Sequence, residues 1–277
     1  MALSIHTNYS ALTTNTALNK SNAALSTNQQ RLGTGFRINS AADDAAGLQI
    51  ATRLNAQSRG MAVASRNSQD AISMMQTGEG ALNEFTDIVL RMKDLATQGA
   101  NGTNSDAEYT ALDAEYQELL TELDNILTNT SYGSGTKLLD ATDGKLAAAI
   151  TFQIGASSDE VMTVDLSGSV GAIDTTTLGA LGDQAEALAQ IDALDALLTT
   201  VGEARGGLGA SINRLNHTIN NLANMRDNTE MGRGRIMDAD FAIESANMSK
   251  NSMLMQSGIS MLKQAGQMPG MVMGLLG

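Results

Sequence analysis

The chain contains no cysteine, no tryptophan and a single proline among its 277 residues. Without cysteine there is no disulfide framework, no thiolate nucleophile and no Cys-ligated zinc. One proline is far below the usual share of about 5 %. Loop-rich folds seldom show so little, whereas long uninterrupted helices tolerate it. Aromatic residues make up 3 % of the chain, so a core must be built from Leu, Ile, Met and Ala. Positive charge is scarce as well: 17 Lys and Arg stand against 30 Asp and Glu, a formal net charge of −13. That sign argues against nucleic acid and against anionic membranes as partners, since both need a surplus of basic side chains. No apolar run approaches the roughly 18 residues of a membrane span. The stretch MALSIHTNYSALTTNTALNK lacks a cationic leader and an apolar h-region, so no secretory signal peptide is expected. Taken alone, these facts suggest a cytoplasmic protein, unless export uses a route that needs no cleaved leader.

What the chain does have is helical periodicity. From about Ser4 to Leu32, Ile5 and Leu12 lie a heptad apart, as do Leu18, Leu25 and Leu32, with Ala17 and Ala24 flanking the seam. Lys20 is the only Lys, Arg, Asp or Glu before Arg31. From about Asp43 to Gln98, the series Leu54, Met61, Ser68, Met75, Leu82, Val89, Ala96 and the companion series Gln57, Ala64, Ala71, Gly78, Phe85, Met92 form a sustained a/d heptad, the pattern of coiled-coil packing. A helix of that extent is roughly 80 Å long at about 1.5 Å per residue. A third helix opens at the capping-box string Ser105-Asp106-Ala107-Glu108 and carries Tyr109, Leu112, Tyr116, Leu119, Leu123 and Ile126 to an end near Asn129. From Thr130 to Gly182 the composition turns to Gly, Ser, Thr and Asp. Alternating stretches at Ile150–Ile154 and Val161–Val164 predict one or two β-hairpins. Helix resumes near Asp183. Leu194, Val201, Leu208, Leu215 and Leu222 are heptad-spaced, with Ile191, Leu198, Arg205, Ile212 and Ile219 on the companion position. Gly232 and Gly234 interrupt the pattern, so this helix should stop at about Thr229. A last amphipathic stretch from about Asp238 carries Phe241, Met248, Met255 and Leu262, and a second series Leu254, Met261, Met268 and Leu275.

These patterns predict a mainly α protein, a long antiparallel coiled-coil-like helical bundle with a small β-hairpin insert at about 130–182. The order of weak helix, long helix, insert, long helix and weak helix brings the two ends of the chain together. Both end helices are amphipathic and nearly uncharged. Such faces can pack without desolvating ions but hold a helix poorly in water, because burial of an apolar face is what stabilises most helices. The ends are therefore expected to order on assembly, as in coupled folding and binding. The expected polymerisation residues are Leu12, Leu18, Leu25, Leu32, Phe241, Met248, Met255 and Leu262.

Catalytic chemistry finds little support. His6 and His217 have no companion at metal-ligand spacing, and no HExxH string occurs. Asp43-Asp44 suits a helix start beside the positive dipole end better than acid–base work, and Asp238 and Asp240 read the same way. Gly206-Gly207-Leu208-Gly209 lies inside a heptad and follows no strand, so a phosphate loop is disfavoured. Arg233-Gly234-Arg235 lacks the repeats and aromatics of an RNA-binding tail and suits a joint between bundle and tail. No enzymatic activity, metal or cofactor is expected. The Met-rich tail from Met248 to Met273 offers an adaptable apolar surface.

The string QRLGTGFRINSAADDAAGLQIATRL (Gln30–Leu54) closely resembles the N-terminal signature of bacterial flagellins. RGRIMDADFAIESANMSKNSMLMQSGISMLKQAGQMPGMVMGLL (Arg233–Leu276) resembles their C-terminal one, and LRMKDLATQGANGTNSD (Leu90–Asp106) and LGASINRLNHTINNLANMRDN (Leu208–Asn228) match between them. Several long strings in fixed order make this resemblance highly specific. It implies a self-assembling filament subunit used for motility, exported unfolded through the flagellar type III channel to an extracellular location, which would set aside the cytoplasmic reading. It also implies that residues 1–42 and 236–277 form an inner tube, while residues 43–235 form an outer tube. With only the stretch from Thr130 to Gly182 between the matching ends, outward domains should be absent and the filament thin and smooth. The partners implied are other copies of the chain, an export chaperone on the Met-rich tail, and the hook–filament junction and cap proteins. Arg91, Leu95 and Glu115 match positions by which some flagellins engage the host flagellin-sensing Toll-like receptor. Arg91 and Leu95, one helical turn apart, should share a face. A flagellin-like hook–filament junction protein, with similar ends, is the alternative.

Overall fold

The computed structural model describes residues 7–276, with side chains described up to Gln267 and at Gly270. The elements in chain order are helices α1 (Tyr9–Thr34), α2 (Ala45–Gly99) and α3 (Asp106–Asn129), strands β1 (Ser131–Tyr132) and β2 (Thr136–Lys137), a 3-10 turn (Lys145–Ala147), strands β3 (Ile150–Gln153) and β4 (Val161–Val164), and helices α4 (Ser167–Val170), α5 (Gln184–Met237) and α6 (Phe241–Leu276). The mainly α architecture with small hairpins is the one the heptads predict. The chain divides into two compact units. One joins the segment ending at Ala56 to the segment beginning at Asn228, and the other is Gln57–Asp227.

The Gln57–Asp227 unit is built around the a/d seam of α2. From Met61 onward every a residue is buried: Met61, Ser68, Met75, Leu82, Val89 and Ala96. So are the d residues from Ala64 to Met92, Gly78 included. Leu112, Tyr116 and Leu123 of α3 join the same core, as do Leu194, Val201, Leu208 and Leu215 of α5. The Lys93–Asp195 ion pair and the Met61–Ala64–Leu222 cluster fix α2 and α5 as antiparallel. The companion seam of α5 differs from expectation. Ile191, Leu198, Arg205, Ile212 and Ile219 are only half-buried, while Gln190, Leu197, Ala204 and Ser211 lie in the interior. A search for large apolar residues misses a seam made of small and hydrogen-bonded ones. Gln190 illustrates the second kind: its Oε1 accepts from the Tyr116 hydroxyl at 3.3 Å and from the Gly179 amide at 3.1 Å.

Two antiparallel hairpins occupy the insert, within the one or two expected; the alternating stretches mark the second of them, β3–β4, and not the first. Ser131 pairs with Lys137, and β3 pairs with β4 from Ile150↔Val164 to Gln153↔Val161. Met162 and Val164 are buried in the shared core, and the Asn67 amide donates to the Gln153 carbonyl at 3.2 Å, tying the second hairpin to α2. The Ser105–Glu108 capping box forms, with the Glu108 carboxylate accepting the Ser105 backbone N–H at 2.6 Å.

In the other unit, α1 starts later than expected. Asn8 is its N-cap, with Oδ1 accepting from the Ala11 N–H at 3.0 Å; Ser4, Ile5 and His6 lie outside the described residues. Gly35 ends α1 at φ 74°, a left-handed cap that a side chain would strain. The chain then crosses to α5: Phe36 bridges Asp238, the Arg37 amide donates to the Met237 carbonyl at 2.6 Å and the Ala239 amide to the Gly35 carbonyl at 2.9 Å. These bonds set the true end of α5. Gly232 and Gly234 do not stop it at about Thr229, since a helix absorbs an interior glycine at about 1 kcal/mol.

Candidate assembly surface

In the terminal unit, α1 and α6 run antiparallel, as contacts at opposite ends of the pair show. Near the end of α1, Arg31 Nη1 donates to Glu244 Oε1 at 3.0 Å. Glu244 is buried, 7 % exposed, as is Asn28. With its amide nitrogen toward Glu244, Asn28 donates to Oε2 at 3.2 Å and accepts from Asn251 Nδ2 at 3.1 Å. Midway, the helices approach so closely that a Cβ on Gly258 would lie 2.9 Å from Leu18 Cδ1. At the start of α1, Asn8 Nδ2 donates to the Ala265 carbonyl at 2.6 Å. That carbonyl has no helical donor four residues on, because the residue there is Pro269, which carries no N–H. Asn8 therefore does two jobs with one amide, capping α1 and pairing the carbonyl that the chain's single proline leaves open.

The heptads repeat, so an apolar seam alone would let α1 slide along α6 by seven residues with little penalty. The polar contacts at Arg31–Glu244, at Asn28 and at Asn8–Ala265 do not repeat, and they fix the register, a role buried polar groups fill in coiled coils.

Six of the expected polymerisation residues are partly covered, and one of them, Leu18, lies against α6 at Gly258. Leu18, Leu25, Leu32, Met248, Met255 and Leu262 are half-buried within the chain's own structure, while Leu12 and Phe241 remain exposed at 59 % and 58 %. A further set was not singled out by the first heptad series. Ile243, Met253, Leu254 and Met261 of α6 are 58 %, 65 %, 48 % and 61 % exposed. At about 100° per residue they fall within an arc of about 100° on α6, away from the side carrying Glu244, Met248, Asn251 and Leu262. The signal was in the sequence: Leu254 and Met261 head the second heptad series. What periodicity cannot tell is which series the chain covers itself and which it leaves open.

Elsewhere the expected sites separate. Arg91 and Glu115 pair on the surface, Arg91 Nη2 and Nε lying 2.6 and 3.0 Å from Glu115 Oε1. Leu95 does not share that surface: it is 2 % exposed, in the α2 core, because it precedes the a residue Ala96 and lies on the inner side of the seam. His217 is exposed on α5, and His6 is outside the described residues. Asp44 and Asp240 serve as helix starts. Asp44 Oδ1 accepts from the Gly47 N–H at 2.8 Å and Asp240 Oδ1 from the Ala242 N–H at 2.9 Å. Asp43 accepts the Asn39 and Ser40 backbone N–H groups and the Ser40 hydroxyl, and these bonds, the Asn39 N–H foremost, hold its carboxyl below the usual range. Asp238 instead donates its backbone N–H to the Gly234 carbonyl at 2.8 Å, closing α5. Among the described residues there is no cluster of three His, Cys, Asp or Glu able to hold a metal, and no helix is long and apolar enough to cross a membrane.

Comparison with known proteins agrees with this architecture at both ends. Residues 5–143 match the model of the bacterial flagellin N-terminal helical region, and residues 191–276 that of the bacterial flagellin C-terminal helical region. The chain is 37 % identical to flagellin A of Vibrio anguillarum over the full length of both, in an alignment of 383 positions, so that relative carries insertions this chain lacks. It is 41 % identical to the flagellin of Halalkalibacterium halodurans, covering 89 % of this chain and 90 % of that one. The crystal structure of Bacillus cereus flagellin superposes with a TM-score of 0.51 at 38 % identity, over 57 % of this chain and 88 % of that one.

Proposed function

The chain belongs to the bacterial flagellin family, the structural subunits of the flagellar filament, and on that premise we propose that it polymerises through the outward faces of α1 and α6. The observation that carries this reading is the uncovered apolar stripe Ile243, Met253, Leu254 and Met261. Burying what remains exposed of four such side chains against neighbouring copies contributes on the order of 4 kcal/mol per subunit. Leu12 and Phe241 are exposed as well, Phe241 on a different side of α6 from the stripe, while Leu18, Leu25, Leu32, Met248, Met255 and Leu262 support the α1–α6 pair that presents it. Both ends order as copies meet, in the manner of coupled folding and binding.

The role is mechanical. A rigid helical polymer transmits motor torque to the surrounding fluid, and no catalytic group is required. The filament is extracellular, and the subunit reaches it through the flagellar export channel. Before assembly the Met-rich stretch of α6 engages an export chaperone, and in the filament the end subunits meet the junction and cap proteins. The chain's small insert, against the longer Vibrio relative, supports a thin filament without projecting domains. The Arg91–Glu115 pair is the accessible part of a contact with the host flagellin-sensing receptor.

Seeded elongation is the test. Purified full-length chain added to filament fragments should elongate them, and chain lacking Ser249 to Gly277 should not, while keeping a folded Gln57–Asp227 unit. A junction protein would cap the seeds and stop growth. Failure of the full-length chain to extend any seed would overturn the proposal.

A further inference from the structure

The outward stripe of α6 is half thioether. Met253 and Met261 are 65 % and 61 % exposed, whereas Met61, Met75 and Met92 in the Gln57–Asp227 core are 2 %, 0 % and 0 % exposed. Thioethers are oxidised according to access, and the product is a polar, chiral sulfoxide in place of a flexible apolar group. We propose that Met253 and Met261 are oxidation sites at which peroxide switches the free subunit to an assembly-incompetent form. This rests on the reading that neighbouring copies cover the α6 stripe.

The step balances without a cofactor. The Met sulfur attacks one oxygen of hydrogen peroxide, the O–O bond breaks, and the sulfur gains that oxygen and loses two electrons. The other oxygen leaves as water after proton transfer. Each sulfoxide adds a strong hydrogen-bond acceptor to a surface whose neighbours, Ile243 and Leu254, offer no donor. Covering it in a filament would strip that oxygen of water with nothing in return, and burial of an unpaired polar group is costly. Two such groups on one stripe raise the concentration needed for elongation by at least about tenfold. The same geometry makes the modification state-dependent: the sulfurs are open in the free subunit and closed in the polymer. Oxidation therefore removes subunits that have not assembled and spares those that have. Because sulfoxides are reduced by methionine sulfoxide reductases, the block is reversible.

The experiment treats full-length free chain with dilute hydrogen peroxide, quenches it, maps oxidation at each methionine by peptide mass analysis, and then measures seeded elongation. Met253 and Met261 should oxidise before Met61, Met75 and Met92, elongation should fall in step, and reductase treatment should restore it. In preformed filaments the same peroxide dose should leave Met253 and Met261 reduced. The M253L/M261L variant should elongate equally with and without peroxide. Normal elongation by chain fully oxidised at both positions would overturn the proposal. So would a peroxide block that persists in M253L/M261L, which would place the sensitive group elsewhere, such as at Met231. If that variant fails to elongate untreated, the peptide maps of the native chain decide: elongation must fall with oxidation of Met253 and Met261, and a fall that follows oxidation of Met231 instead would overturn the proposal. Untreated native chain that never extends a seed would instead defeat the assembly reading itself.

Discussion

Replacing Asn8 with Ala should weaken the terminal unit through two separable losses. The first is the N-cap: Asn8 Oδ1 no longer accepts from the Ala11 N–H, which costs roughly 1 kcal/mol. The second is the Ala265 carbonyl, which the Asn8 amide reaches at 2.6 Å. Ala265 is only 9 % exposed, so its freed carbonyl has poor access to water, and leaving it unpaired costs about 1 kcal/mol more. The sum is about 2 kcal/mol. Pro269→Ala supplies the missing helical N–H and gives Ala265 a donor that does not depend on Asn8. In that background Asn8→Ala should cost only the cap, about 1 kcal/mol. The coupling of about 1 kcal/mol corresponds to roughly a fivefold change in the critical concentration for filament growth. Pro269→Ala alone should strengthen α6, since an interior proline opposes a helix. Critical concentrations of the native chain, both single variants and the double variant close the cycle, and hydrogen exchange at the Ala11 amide reads the cap directly. Equal losses from Asn8→Ala in the two backgrounds would refute the pairing of Asn8 with the proline-freed carbonyl.

Leu82→Ala empties a fully buried position of the α2 seam and should destabilise the Gln57–Asp227 unit by about 2–5 kcal/mol, seen as a lower denaturant midpoint. Tyr116 is buried, and that burial, with the Asp113 charge second, pushes its phenol up from 10.0 to about 12. The folded state thus holds the proton longer than the unfolded chain, so stability is intact below the unfolded value and falls as pH rises from 10.0 to about 12. Tyr116→Phe should flatten that alkaline loss in urea titrations. For receptor recognition, Arg91→Ala should reduce signalling without a large change in melting, because the Arg91–Glu115 pair is exposed and such pairs contribute little to stability. Leu95→Ala should instead lower stability first, as a core truncation does.

The large-scale fold was legible because it rests on a repeat that survives any local detail. Every member of the a/d series of α2 from Met61 to Ala96 is buried, though Leu95 outside the series is buried too, and the Ser105–Glu108 string marks the start of α3. Where reading failed, residue type hid the physics. Gln190 and Ser211 are polar yet interior, one through its bonds to Tyr116 and Gly179 and the other through small size. Gly232 and Gly234 look like a stop, but the helix ends only where Phe36 bridges Asp238, a contact between residues remote in sequence. Leu95 and Arg91 are neighbours on a helix whose buried stripe ends between them, Leu95 bordering the a/d seam and Arg91 lying one step farther out. The assembly surface was half legible. Both α6 heptads are plain in the sequence, but the choice between them depends on where α1 lies, which Arg31, Glu244 and Asn8 decide.

A reconstruction of the assembled filament at side-chain resolution tests the central claim most directly. Ile243, Met253, Leu254 and Met261 should each lie against side chains of neighbouring copies, with α1 and α6 in the Arg31–Glu244 register and no domain projecting beyond the hairpins. The same stripe found facing water inside an intact filament would contradict it.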